Sequence, residues 1–97
     1  MSNVFEITDK SGRRIRLTEK QWEHIVKTHG EMTNYLEEIK EMLIRPMKII
    51  KHSVNDLRRY FSFHKNRKHP EKYLRVIIKY LNGDGFVITA HFVRNLN

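Results

Sequence analysis

The sequence predicts an α+β domain: an N-terminal β-hairpin, two α-helices, then a four-stranded antiparallel β-meander with the helices on one face. Three observations carry this reading. Apolar and polar residues alternate from Lys72 to Tyr80 and from Phe86 to Val93, on either side of the turn-forming Asn82-Gly83-Asp84-Gly85. Apolar residues recur at helical spacing at Trp22, Ile25 and Val26, and again at Tyr35, Leu36, Ile39, Met42 and Leu43. The 97 residues suffice for one modest core and not two, so residues 1–97 are read as a single domain.

Val4 to Ile7 and Arg14 to Leu17 read as short strands joined by Thr8-Asp9-Lys10-Ser11-Gly12, an opening hairpin. Thr18 followed by Gln21 is a capping box: the hydroxyl accepts the Gln21 amide and the glutamine side chain reaches back. A helix therefore starts at Glu19, and Gly30 offers a left-handed cap after His29. Asn34 and Glu37 repeat the capping pattern for a second helix, which Pro46 stops near Arg45. Lys48 to Ser53 is a strand, Val54-Asn55-Asp56 a turn, Leu57 to Phe63 an aromatic-rich strand, and His64 to Lys72 a polar loop dense in cations.

For the closing hairpin, a type I turn with Gly85 in the left-handed position sets the register, placing Lys79 opposite Thr89 and Ile77 opposite His91. Leu74, Val76, Ile78 and Tyr80 then share the core face with Ile88, Ala90 and Phe92. Arg75, Ile77 and Lys79 share the other with Val87, Thr89, His91 and Val93, a surface of cations, a hydroxyl and an imidazole.

Lys and Arg outnumber Asp and Glu by 19 to 11, a net charge of +8 that points to an anionic partner, nucleic acid or an acidic protein. With no cysteine, disulfide and thiolate chemistry are excluded. No apolar run approaches the roughly 20 residues that span a bilayer, and Met1 to Lys10 lacks the regions of a signal peptide, so a soluble cytoplasmic protein with no membrane partner is expected.

On the first helix His29 falls on the inward stripe with Trp22, Ile25 and Val26, while His24 lies outside. An imidazole on the last turn, at the negative end of the helix dipole, is placed for a proton donor; the alternative is a capping histidine at the core edge. Arg58 and Arg59 point to opposite faces of one strand. Leu57, Phe61 and Phe63 are expected to carry Arg59 to the core side and leave Arg58, Tyr60 and Ser62 on the polar face, although an arginine at a sheet end can escape either way. Either guanidinium has the planar fork that suits phosphate. The run His64-Lys65-Asn66-Arg67-Lys68-His69, near Phe61, Phe63 and Tyr73, suits single-stranded RNA, with cations for the backbone and rings for unstacked bases; a solvated loop explains it equally. No metal and no cofactor is called for: His24 and His29 stand about 140° apart on a helix, and no glycine-rich loop precedes a helix.

The layout, with Leu17-Thr18-Glu19-Lys20-Gln21-Trp22-Glu23-His24-Ile25 and His29 early and Gly85-Phe86-Val87-Ile88-Thr89-Ala90 late, resembles the barnase, EndoU, colicin and RelE-like nuclease superfamily, in particular its small phage-associated and mobile-element branches. The resemblance spans nearly the whole chain. It implies metal-independent cleavage of tRNA, mRNA or other RNA by a toxin, with a helical histidine (His29, with His24 second), a sheet cation (Arg59 or Arg58) and a final-strand hydroxyl (Thr89). A departure is that no glutamate stands at an obvious sheet position. On this reading His29 and either His24 or His91 exchange protons, Arg59 and Lys79 stabilise charge, Thr89 positions the phosphate, and Arg58, Tyr60, Arg75, Lys65, Arg67 and Lys68 contact substrate. An acidic antitoxin or immunity protein would cover the basic surface. The geometry sets one condition: His29 on the inward stripe and Thr89 on the outward face can meet only at a sheet edge or twist. Two other readings use the same basic face, a non-catalytic RNA-binding module and a domain that docks an acidic protein.

Overall fold

The computed structural model describes residues 2–52 and 56–97. Six strands run in chain order as β1 (Asn3–Thr8), β2 (Arg14–Thr18), β3 (Lys48–Lys51), β4 (Leu57–Phe63), β5 (Tyr73–Leu81) and β6 (Asp84–Val93), with helices α1 (Glu19–Thr28) and α2 (Leu36–Ile44) between β2 and β3. They form one mixed sheet in the order β1-β2-β6-β5-β4-β3. The meander β3 to β6 is antiparallel as predicted, but the sheet is not limited to four strands: the opening hairpin joins it through a parallel pairing of β2 with β6 at Ile15–Gly85 and Arg16–Phe86. Electrostatics support that junction, because Arg14 and Arg16 both lie between Glu6 and Asp84. The residues Ser53, Val54 and Asn55 of the predicted strand end and turn lie outside the described residues.

Thr18 caps α1, its hydroxyl accepting the Gln21 amide at 3.1 Å. The glutamine side chain does not reach back, however; it donates to the Ile88 carbonyl of β6. The parallel pairing covers only two residues, and past it α1 takes the place of a strand beside β6. Helix α1 ends at Thr28 with His29 as its C-cap, and Gly30 opens a 3₁₀ turn to Asn34 instead of adopting a left-handed cap. Consequently Tyr35 is the N-cap of α2 and the Asn34 capping pattern is not used.

The closing hairpin differs from the predicted register. Asn82 and Gly83 both have positive φ, 53° and 85°, the two-residue mirror-image turn whose twist matches that of the strands. Leu81 therefore pairs with Asp84, and Lys79 with Phe86. One extra residue, Ile88, then bulges out of β6, so that Ile77 pairs with Thr89 and Arg75 with His91. The bulge exchanges the faces near the turn: Val87 is 2% exposed in the core and Ile88 is 38% exposed. Gly85 is not left-handed; it lets β2 approach, since a Cβ there would stand 3.0 Å from Ile78 Cγ2 and Tyr80 Cε1 and 3.1 Å from Ile15 Cγ1.

The core lies between the helices and one sheet face, built by Ile25, Met32, Ile39, Met42 and Leu43 against Leu74, Val76, Ile78, Val87, Ala90 and Phe92. At its margin Asp9, 5% exposed, accepts hydrogen bonds from the Tyr60 and Tyr80 hydroxyls (2.9 and 2.7 Å), the Ser11 hydroxyl (2.7 Å) and the amides of Ser11 and Arg13 (2.9 Å each). Burial opposes its ionisation, but these donors outweigh burial and hold the carboxyl below the ordinary aspartate range. Burial pushes the Tyr60 phenol up to about 12.

Candidate active site

The face of the sheet turned away from the core carries the polar cluster. Strand alternation and register put Arg59, Ile77 and Thr89 in one cross-strand row and Phe61, Arg75 and His91 in the next. Arg59 thus belongs to this face together with Phe61, and Arg58, Tyr60 and Ser62 to the other, which is the reverse of the predicted assignment. The reason is Phe61: it is fully buried, yet on the polar face rather than in the main core, so hydrophobicity alone misplaces the strand.

His29 reaches this face around the exposed side of β6. Because β2 leaves β6 after Phe86, α1 runs beside the strand and delivers its C-cap to the edge. There the His29 and His91 rings stack, centroids 4.6 Å apart and planes within 10°. The Arg75 Nη2 donates to His91 Nε2 at 2.9 Å and its Nη1 to the main-chain oxygen of Asn97 at 3.1 Å. A guanidinium has no acceptor, so His91 is a neutral imidazole with its hydrogen on Nδ1. Burial, then Arg75, then His29 lower the His91 pKa from the ordinary histidine value. Burial and the neighbouring Arg59 lower that of Arg75.

Neither Arg59 nor Arg75 has an aspartate or glutamate partner among the described residues, and Arg59 Nε, Arg75 Nε and His91 Nδ1 are buried N–H groups without an acceptor. Two of the three belong to guanidiniums, whose planar fork suits an oxyanion. Thr89 lies half-buried on the same face, and the exposed Lys79 lies one row further towards the turn.

Other predicted site residues stand elsewhere. His24 is exposed on the outer side of α1. Tyr60 is buried with its hydroxyl committed to Asp9, and the Arg58 guanidinium covers the Tyr80 ring at 4.9 Å on the core-side face. Arg67 is a structural cation: it binds Glu31 through two oxygens (2.8 and 3.0 Å), the Glu71 carbonyl (2.7 Å) and the Phe92 ring (3.7 Å). Lys65 and Lys68 are exposed in the 64–72 loop. Sequence reasoning placed Arg75 only among substrate contacts; its bond to His91 depends on the bulge at Ile88. Half of that signal was present, since Asn-Gly favours a two-residue turn. Among the described residues no three His, Asp or Glu side chains group to hold a metal ion, and no helix is long and apolar enough to cross a membrane.

The α+β domain thus gathers on one sheet face two imidazoles and two guanidiniums without Asp or Glu partners among the described residues, groups whose chemistry suits an anion. The family model described as phage-Barnase-EndoU-ColicinE5/D-RelE like nuclease2 matches residues 3–97, and the chain belongs to this nuclease family. Comparison with curated proteins and with solved structures gives no match.

Proposed function

We propose that the protein is a metal-independent endoribonuclease of toxin-like action, with His29, His91, Arg75, Arg59 and Thr89 as its site. The observation that carries this reading is the stacked imidazole pair beside two guanidiniums whose buried Nε–H groups lack an acceptor. RNA supplies its own nucleophile, so the protein needs a base, an acid and cations. The scissile phosphate draws the Arg75 guanidinium from His91 and frees the Nε2 lone pair. His91 then takes the 2′-hydroxyl proton, and the 2′-oxygen forms a bond to phosphorus. The bond to the 5′-oxygen breaks as His29 gives that oxygen a proton. Arg59, Arg75 and Thr89 stabilise the charge on the non-bridging oxygens, and the products carry a 2′,3′-cyclic phosphate and a 5′-hydroxyl. Stacking disfavours two charged rings, which agrees with His91 as a neutral member of the pair. His24 is left out because it is exposed on α1 and makes no contact with the stacked pair among those described.

The net charge of +8 supports an acidic antitoxin or immunity protein as the controlling partner. Incubation of the protein with total RNA in EDTA, with mapping of fragment ends, tests the reading. Cyclic-phosphate ends are expected, with cleavage falling about 10²- to 10⁴-fold in His29→Ala and in His91→Ala. Intact RNA bound in a salt-sensitive way would leave a binding module instead.

A further inference from the structure

One row beyond Phe61, Arg75 and His91, the same sheet face ends in Phe63, Tyr73 and Val93. Phe63 is a large apolar side chain left 49% exposed, and its ring lies 5.1 Å from that of Tyr73. Phe61, the other aromatic of the strand on this face, is fully buried and available to nothing. Beside Phe63 a cleft of about 430 Å³ opens between Tyr35, His64, Lys65, Asn66 and Arg67, a size in the range of small-ligand sites, and its walls offer the Asn66 amide and the Lys65 ammonium. In the opposite direction along the strands the next exposed group is Lys79. The face is therefore asymmetric: aromatic surface on one side of the cation cluster, a further cation on the other.

We infer that Phe63 and Tyr73 form a stacking platform for one unpaired base next to the scissile phosphate, which makes single-stranded RNA the substrate class. This rests on the ribonuclease reading above. Residues two apart on a strand are about 6.7 Å apart, the scale on which a base stands away from its own phosphate. A base within a duplex is already stacked and would have to be extruded, which costs free energy that a single strand does not demand. Stacking on a ring accepts any base, so the selection is for strandedness first, with the exposed Asn66 near Phe63 to read the base edge.

The test compares wild type, Phe63→Ala and Phe63→Trp on three labelled RNAs: a single strand, the same strand with an abasic residue beside the main cut, and its duplex. Phe63→Ala should lose roughly five- to hundredfold in kcat/KM on the intact strand. It should match wild type on the abasic strand, Phe63→Trp should restore activity, and the duplex should be the poorest substrate. Equal cleavage by wild type and Phe63→Ala, or equal loss on both single strands, would overturn the platform. Binding is read separately with a non-cleavable 2′-deoxy strand carrying 2-aminopurine, whose fluorescence should be quenched by wild type and not by Phe63→Ala. Quenching without any RNA cleavage would sink the ribonuclease reading alone and leave the platform standing; cleavage without Phe63-dependent quenching would sink the platform alone.

Discussion

Two polar clusters sit on opposite faces of the same sheet, and they are built by opposite rules. Around Asp9 every donor has its acceptor: five hydrogen bonds converge on one carboxylate and tie the opening hairpin to β4 and β5. Around His91 two guanidiniums and an imidazole leave three buried N–H groups unpaired. A buried polar network whose members are all satisfied rigidifies a fold, whereas unpaired donors cost free energy that only a ligand can return. The first cluster is therefore expected to govern stability and the second activity.

Substitutions that separate those two quantities would break or sharpen the contrast. The largest expected effect is on the open face, where Arg75→Ala should lower RNA cleavage about 10²- to 10³-fold, as for loss of one donor to a developing oxyanion. Its Tm should stay close to that of wild type, since relief of a desolvated cation offsets the hydrogen bonds lost to His91 and the Asn97 oxygen; a large fall in Tm would put Arg75 among the structural groups. Next in size, Asp9→Ala should cost about 3 kcal/mol by removing the acceptor shared by the Tyr60 and Tyr80 hydroxyls and the Ser11 and Arg13 amides, seen as a lower urea midpoint at unchanged m-value, with cleavage per folded molecule retained. Gly85→Ala should be milder, about 1–3 kcal/mol, because its Cβ meets Ile78, Tyr80 and Ile15 at the junction of β2 with β6.

The smallest effect is in pH dependence. The folded protein keeps His91 neutral, so below the ordinary histidine pKa the unfolded chain binds more protons and stability falls as the pH falls. His91→Gln should flatten that slope just below about pH 6.5. The Asp9 carboxylate acts in a lower window, its contribution present above the ordinary aspartate pKa and lost as the pH drops below it. In the pH–rate profile, Arg75→Met should move the acid limb upward, towards an ordinary histidine.

Much of this was legible in the sequence, and the exceptions have physical causes. Helix α1 and its Thr18 cap follow from local spacing, which needs no knowledge of partners, whereas His29, read on the inward stripe, stands at the sheet edge against His91. The antiparallel meander follows from alternation. What local pattern could not convey was the bulge at Ile88: alternation in β6 is correct on each side of it and out of phase across it, so Val87 and Ile88 were read on the wrong faces. Arg59 was misplaced because Phe61 is buried on the polar face, and burial there comes from neighbours distant in sequence. Pairing of β2 with β6 was equally invisible, being a two-residue parallel contact between segments about 70 residues apart. That contact is also what lets His29 round the edge and stack on His91.

The third place of β6 in the strand order has a kinetic consequence. Its ladder with β5 is local and can form early, but its contact with β2 and α1 closes a loop that includes both helices and three strands. Closure over that separation carries an entropic cost met late in folding, as in other sheets with distant pairings. The imidazole stack joins His29 to His91 across the same separation. A molecule in transit to the native state can thus have its meander and its cations in place while the two proton-handling rings are still apart.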